Sequence, residues 1–433
     1  MADTYQRPIY NLSSVVRETG VKADTLRAWE RRYGLPQPAR TEGRQRLYSQ
    51  RDVDTIKWLV ARQREGLRIK RAVALWRSLE AAGQEPLQEM IPTLHPEELA
   101  SDTVAELRQA WVSACLAFDE RRAEQVLTQA FALYPPETVC LGLLRAGVAQ
   151  IGQEWYEGHA TVQQEHFATA LAVRRVEALV LAVPPPTRPG RILIACPPEE
   201  EHCFGLLLLT FLLRRRGWDV TYLGANVPVT RLEQVTDTIQ PSLVISTALQ
   251  LVTAANLLDV ARFLQQQTIP LAFGGGVFNQ VPALRARFPG HFIGPELEQA
   301  PQGVEKILAS PAPPPSVVPV PEMAHQALVH YRERRLPIEA RMASSRPELA
   351  GRDWFGRANR ELARNLSAAL TLGDINLADD SLGWLGGLGQ GGGVISSSLN
   401  SYLSAYHQAA RALLDERGTP IIEWLTRQSG TDE

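Results

Sequence analysis

Six prolines crowd into the thirteen residues Ala309–Pro321 (ASPAPPPSVVPVP). Proline has no N–H to donate and its ring fixes φ, so this run can be neither a helix interior nor a central strand. It reads as a semi-rigid spacer. Two weaker breaks lie at Ala81–Pro96 (AAGQEPLQEMIPTLHP) and Val183–Gly190 (VPPPTRPG). The chain of 433 residues is therefore expected to fold as separate units over 1–80, 98–183, 190–308 and 322–433, with 309–321 as a linker. There is no internal repeat, and the glycine-rich patch Gly383–Gly393 is expected to be a mobile loop.

Composition excludes several classes. No apolar run approaches the length of ~18 residues that a membrane-spanning helix needs, so no membrane partner is expected. The N-terminus lacks the apolar core of a signal peptide. Four cysteines (Cys115, Cys140, Cys196, Cys203) are scattered without a CxxC pair, which argues against zinc or a disulfide framework and suits the cytoplasm. The net charge of −2 hides an asymmetry. Residues 1–77 hold 17 Lys and Arg against 8 Asp and Glu, a net +9, leaving −11 for the rest. A basic head on an acidic body is the footprint of a phosphate-binding module joined to something else.

That basic charge sits on a definite frame. Leu12–Thr19 reads as a short helix capped by Asn11 or Ser13, and Gly20 permits a tight turn. Ala23–Tyr33 (ADTLRAWERRY) reads as a second helix whose Leu26, Trp29 and Tyr33 face inward. Thr25, Arg27, Arg31 and Arg32 are left outward, where a helix in a major groove presents Arg to guanine edges or phosphates. Ala39–Tyr48 reads as a hairpin turning at Gly43, a wing bearing Arg40, Arg44 and Arg46. Ser49–Glu65 and Ile69–Glu80 follow as helices. The whole reads as a winged helix-turn-helix with double-stranded DNA as its partner.

Residues 98–183 hold four apolar-periodic runs, Glu98–Phe118, Arg121–Ala132, Pro135–Glu157 and Val162–Leu181, enough for a small bundle. The loop EGHAT can fold the last run back and bring Trp155 near Glu165 and His166. Alone, such a trio is more often core and surface than site. Residues 190–308 alternate strands with helices. Strands are expected at Arg191–Cys196, Asp219–Leu223, Ser242–Ala248, Pro270–Phe273 and His291–Ile293, with the apolar helix Phe204–Arg215 after the first. That order argues a parallel sheet covered on both faces, with ligands beyond the carboxyl ends of the strands. Glu200, His202 and Gly205 sit at such an end. A neutral imidazole there can give a lone pair to a metal, and a carboxylate two residues earlier can hold the other ring N–H. Gly205 lets a bulky ligand come close, and Gly274-Gly275-Gly276 opens similar room after the fourth strand. No GxGxxG follows the first strand, which disfavours a nicotinamide cofactor.

Three resemblances build on these residues. The head resembles the DNA-binding domain of MerR-type regulators in TLRAWERRYGLPQPAR, RLYSQRDVDTIKWL and REGLRIKRAV, which implies dimeric binding to a palindromic operator. Residues 190–308 resemble the cobalamin-binding fold of methionine synthase and its relatives, which carries Asp-x-His-x-x-Gly, then Ser-x-Leu, then Gly-Gly. Here the motifs read Glu200-x-His202-x-x-Gly205, Ser246-Thr247-Ala248 with the leucine one place late, and Gly274-Gly275. Head, helical cap and cobalamin fold in this order resemble the CarH/LitR light-sensing repressors, whose cap carries the Trp-x9-Glu-His spacing of Trp155, Glu165 and His166. The resemblance implies cobalamin, with adenosylcobalamin preferred, and cobalt ligated from below by His202. It implies that Trp155 shields the adenosyl group, that Glu165 and His166 line the same pocket, and that Glu200, Gly205, Ser246, Gly274 and Gly275 contribute to cofactor binding. It further implies a homo-oligomer, dimer or tetramer, that occupies its operator in the dark and leaves it in light. Light-sensing members can carry a histidine directly after the tryptophan. This chain has Tyr156 there, and His159 is the candidate substitute as upper cobalt ligand after photolysis.

Residues 322–433 carry no recognisable family motif. Helical patterns run over Glu322–Arg335, Trp354–Leu372, Leu399–Glu416 and Ile421–Gln428. Trp354, Trp384 and Trp424 are expected in a core, and acids offset the cluster of Arg352, Arg357, Arg360 and Arg364. The fold class expected is multidomain α and α/β: a winged helix-turn-helix head, a four-helix bundle cap, a flavodoxin-like doubly wound cobalamin-binding domain and an extra C-terminal helical domain. The function expected is transcriptional repression rather than catalysis. A light-independent cobalamin sensor, a partner-switched regulator without cobalamin, and a corrinoid methyl-carrier enzyme are the alternatives.

Overall fold

The computed structural model describes residues 8–40, 45–64, 67, 69–81, 86, 103–309, 316–379 and 396–429. The chain forms two compact units, Met1–Asp102 and Thr103–Glu433. The patch Gly383–Gly393, Trp384, Gly43, Arg44 and most of the break at 81–96 lie outside the described residues.

In the first unit, β1 (Tyr10–Asn11) leads into α1 (Leu12–Thr19). The Asn11 side chain accepts the Ser14 N–H at 2.9 Å, and Gly20 closes the helix at φ 71°. Next come α2 (Ala23–Tyr33), ended by Gly34 at φ 68°, then β2 (Ala39–Arg40) and β3 (Arg46–Tyr48). The strands form an antiparallel sheet in the order β1-β3-β2, which is the wing. Helices α3 (Gln50–Arg64) and α4 (Ile69–Ala81) complete the unit. Leu26 and Trp29 of α2 share its core with Trp58 and Trp76, whose rings meet edge-on at 5.3 Å between centroids. Such an aromatic pair contributes about 0.5–1.5 kcal/mol beyond burial.

The second unit begins with a helical bundle. It comprises α5 (Val104–Leu116), α6 (Glu120–Leu133), α7 (Pro136–Val139), α8 (Ala146–Tyr156) and α9 (Val162–Leu181). Capping boxes at Thr103 and Thr161 fix where α5 and α9 start. The run expected as one helix over Pro135–Glu157 is interrupted by a π-helical stretch, Cys140–Arg145. Close packing against α5 accompanies it. A Cβ on Gly142 would lie 3.0 Å from Val104, and one on Gly147 2.9 Å from the buried Trp111 ring.

The α/β part contains β4 (Arg191–Ala195), α10 (Phe204–Arg215), β5 (Asp219–Gly224), α11 (Leu232–Ile239) and β6 (Leu243–Thr247). It continues with α12 (Leu251–Gln266), β7 (Leu271–Gly274), α13 (Gly276–Gln280), β8 (His291–Phe292) and α14 (Ala300–Ala309). All five strands pair in parallel in the order β5-β4-β6-β7-β8. This is the flavodoxin-like winding, with its switch point between β4 and β6. Leu207, Leu208, Phe211 and Leu212 of α10 belong to the core of the bundle, so the bundle and the α/β part share one apolar interior.

The C-terminal helices are α15 (Glu322–Ser345), α16 (Pro347–Ala350), α17 (Phe355–Leu372), α18 (Ser396–Leu413) and α19 (Thr419–Ser429). The expected end of the first at Arg335 is overrun, because α15 passes straight through Pro337. Burial of Tyr331, Ile338 and Met342 on one face holds the helix together, offsetting the interior proline's cost of about 3 kcal/mol. Trp424 is buried in this core and Trp354 packs at its edge. Ala368 and Leu372 of α17 enter the core around α12, so these helices are seated on the α/β sheet's flank. The proline-rich segment is docked at its C-terminal end rather than spanning free. The Val318 N–H donates to the Ala286 carbonyl at 2.9 Å, and the Arg287 guanidinium donates to the Val318 and Pro319 carbonyls. Among the described residues, no helix is long and apolar enough to cross a membrane.

Candidate functional site

The basic head offers one exposed arginine face. Arg27, Arg31 and Arg32 of α2 are exposed and Thr25 is half-buried. Arg27 pairs with Asp24 at 3.0 Å, an exposed pair of the kind contributing about 0–1 kcal/mol, which a phosphate can readily replace. The wing arginines behave differently. Arg46 Nε donates to Glu30 at 2.7 Å, and Arg40 reaches the same carboxylate at 3.4 Å. That hydrogen bond from Arg46 to Glu30 raises the Arg46 pKa. Glu30 thus braces the wing against α2, and Arg46 serves that brace.

The second candidate site stands at the carboxyl ends of β4, β5 and β6. Glu200 is completely buried in the loop between β4 and α10. Its Oε1 faces His202, with the ring Nδ1 at 2.8 Å and the backbone N–H at 3.1 Å. Its Oε2 accepts the Leu249 N–H at 2.8 Å and the Thr253 hydroxyl at 2.7 Å. Burial pushes the carboxyl upward, but the hydrogen bonds from His202, Leu249 and Thr253 outweigh it and hold the pKa below the ordinary value. A carboxylate can only accept, so Nδ1 carries the proton and Nε2 keeps its lone pair in the neutral ring. The His202 side chain is 60% exposed, with its pKa raised first by the Glu200 hydrogen bond. Glu165 of the bundle also raises it, which puts the bundle's carboxylate within electrostatic reach of the loop histidine.

Around this histidine the surface is open and partly apolar. A Cβ placed on Gly205 or Gly224 would meet nothing within 4 Å. Leu223 and Leu249 at the neighbouring strand ends are large apolar side chains left exposed, and the bundle separately exposes Trp155 and Val162. Trp155 is 49% exposed on the last turn of α8 and Tyr156 is 77% exposed. Exposed apolar surface beside an imidazole with a free lone pair fits a large, flat, metal-bearing ring such as a corrin. His202 would hold such a metal and Glu200 would orient it.

The other expected contacts divide. Glu165 and His166 pair with each other at 2.7 Å, and Thr169 donates to Glu165 at 2.8 Å. His159 lies in the loop after α8, its Nδ1 3.4 Å from Glu157. Ser246 is buried and donates to the Ala195 carbonyl at 2.7 Å, a strand-to-strand tie. Gly274 ends β7 near Ile293. Gly275, at φ 116°, is obligatory for packing, since a Cβ would lie 2.2 Å from the Ala248 carbonyl oxygen. Sequence reasoning missed Leu249 and Thr253, whose contacts with Glu200 span the switch point. It also missed Asn226, whose Oδ1 accepts the Glu199 N–H at 2.9 Å.

Comparison with known proteins identifies the families of the head, the bundle and the α/β part. Residues 10–79 match the MerR HTH family regulatory proteins. Residues 107–179 and 190–300 match two B12 binding domain families. The HTH-type transcriptional repressor CarH of Myxococcus xanthus is 31% identical over 297 residues, covering 66% of this chain and 96% of that one. The repressor CarA of the same organism is 34% identical over 236 residues, covering 54% and 74%. Among solved structures, the monomethylamine corrinoid protein of Methanosarcina barkeri is similar at 16% identity and a TM-score of 0.37, covering 49% of this chain and 99% of that one. With a MerR head, two B12 binding domains and a relative matched over almost its whole length, the chain belongs to the CarH/CarA family of HTH-type transcriptional repressors.

Proposed function

We propose that the chain is a cobalamin-dependent transcriptional repressor that binds operator DNA as a homo-oligomer in the dark and releases it on illumination, with adenosylcobalamin as the cofactor. The observation that carries the cofactor reading is the 2.8 Å contact from His202 Nδ1 to the fully buried Glu200. It frees Nε2 for cobalt and fixes the ring that offers it. Bound adenosylcobalamin supplies a weak, visible-light-absorbing cobalt–carbon bond. The protein's part is mechanical. Trp155 and Val162 would supply apolar cover to a bound corrin, while His202 would hold the metal and Glu200 would keep the imidazole in place. DNA affinity is multiplied when several heads act together, so a change in assembly becomes a large change in operator occupancy.

The test is a gel shift with purified protein and adenosylcobalamin, run in darkness and after green light, beside an absorption spectrum. The reading holds if a corrinoid spectrum copurifies and the dark complex dissociates in light. It is lost if His202→Ala takes up the cofactor as well as wild type. A second reading, a cobalamin sensor indifferent to light, is favoured by the residue after Trp155. Tyr156 is solvent-exposed where a histidine would trap cobalt, and His159 leans towards Glu157. Equal dark and light shifts with adenosyl- and methylcobalamin select that reading.

A further inference from the structure

The loop that carries His202 is held almost entirely from within the α/β part. Asn256 Nδ2 of α12 donates to the Pro198 carbonyl at 2.8 Å. Asn226 accepts the Glu199 N–H at 2.9 Å, donates from Nδ2 to Glu201 at 3.0 Å, and gives its backbone N–H to the Glu200 carbonyl at 3.0 Å. Thr253 and Leu249 hold Glu200 itself. One tie comes from elsewhere. Arg364, on α17 of the C-terminal helical domain, reaches Glu199 at 2.5 Å while also holding Glu361 at 3.0 Å.

Glu199 is an unusual place to be gripped. It is a non-glycine residue at φ 66°, a conformation that side-chain-bearing residues adopt only when their surroundings enforce it. It directly precedes Glu200, the residue that orients the His202 ring. The helix bearing Arg364 is itself anchored, since Ala368 and Leu372 are buried among the α12 side chains Ala254, Ala255, Leu257 and Leu258. A groove of about 370 Å³ runs along this seam, with Glu199, Asn256, Arg335 and Arg364 in its walls.

We propose that Arg364 is a positioning residue for the cobalt-ligating loop, and that through it the C-terminal helical domain is part of the cobalamin site. The claim rests on the cobalamin reading above for its ligand, but the loop's order is a property of the chain alone. Coupling of this kind is reciprocal. If the seated C-terminal domain favours cobalamin, bound cobalamin must favour the seated domain by the same factor. The matched B12 binding domain ends at residue 300, so this coupling is carried by sequence beyond it.

The experiment uses the full-length chain and four variants: Arg364→Gln, Glu199→Gln, the charge exchange Glu199→Arg with Arg364→Glu, and Arg360→Gln on the same helix as a control. Hydrogen–deuterium exchange over 196–206 is measured without cofactor, and hydroxocobalamin affinity is measured by absorbance titration. Each single variant should speed exchange in the loop. Each should also weaken hydroxocobalamin binding by about two- to fivefold, the range open to an exposed ion pair. The charge exchange should recover part of both losses, and the control should change neither. Wild-type exchange and affinity in Arg364→Gln would overturn the proposal, as would a charge exchange worse than both singles together. If wild type takes up no hydroxocobalamin, the cobalamin reading falls and the coupling with it, while the exchange data still report separately whether Arg364 orders the loop.

Discussion

Glu200→Gln isolates the role of the buried carboxylate with almost no change in volume. Oε2 serves the Leu249 N–H and the Thr253 hydroxyl, and Oε1 serves the His202 N–H and ring. A glutamine can satisfy the first pair only by placing its carbonyl oxygen there, which turns its NH2 toward His202. The ring must then accept at Nδ1 and carry its proton on Nε2, the wrong tautomer for a metal ligand. Losing a charge-assisted hydrogen bond costs roughly 1.5–3 kcal/mol of loop stability. Altering the partner of a metal-bound histidine lowers metal affinity by about 10–100-fold, or roughly 1.4–2.7 kcal/mol. The assay is hydroxocobalamin titration, with electron paramagnetic resonance of the cob(II)alamin form to detect nitrogen coupling from an axial histidine. The expected result is folded protein with weakened binding and diminished nitrogen coupling. Full affinity with intact nitrogen coupling would refute the tautomer argument.

Further outcomes follow from other parts of the molecule. His202 has a raised pKa in the folded chain, so its charged pair with Glu200 contributes stability that is present below the ordinary histidine value and disappears as pH rises through the raised one. The thermal midpoint of cofactor-free wild type should therefore fall across that window more than that of His202→Asn. Burial pushes the thiols of Cys115, Cys140 and Cys196 up to about 12, whereas Cys203 is only half-buried beside His202. Alkylation of the native protein at pH 8 should mark Cys203 first, and bound cobalamin should slow it; fast labelling of the other three would contradict the packing. Alanine at Arg31 or Arg32 should weaken operator binding. It should also flatten the dependence of log affinity on log salt by about 0.9 for each phosphate that the arginine neutralises. Arg46→Ala should instead lower the head's melting temperature, because it removes the brace to Glu30.

Local chemistry made much of this structure readable in advance. Helix α1 runs from its Asn11 cap to Gly20 as expected, and α2 and α9 occupy the expected spans Ala23–Tyr33 and Val162–Leu181. Glu200 and His202 were visible because their relation is a spacing of two residues on one loop. Contacts made by distant residues left no such trace. Glu30 meets Arg46 across sixteen positions, Thr253 meets Glu200 across 53, and Arg364 meets Glu199 across 165. The π-helical stretch at Cys140–Arg145 and the passage of α15 through Pro337 are settled by tertiary packing, which overrides the local signal.

The apolar interior shared by the bundle and α10 has a kinetic consequence. Leu207, Leu208, Phe211 and Leu212 sit in the same core as Trp111 and Leu171, so the bundle cannot lift away from the sheet without exposing that core to water. On the proposed reading, in which Trp155 covers the bound cofactor, entry awaits a partial displacement of that cover. Loading is then expected to be slow and steeply temperature-dependent, with an association rate far below the diffusion limit that does not rise in proportion to cofactor concentration once opening is the slow step. By the same argument release must also await an opening, so a loaded chain is expected to keep its cofactor through long dilution.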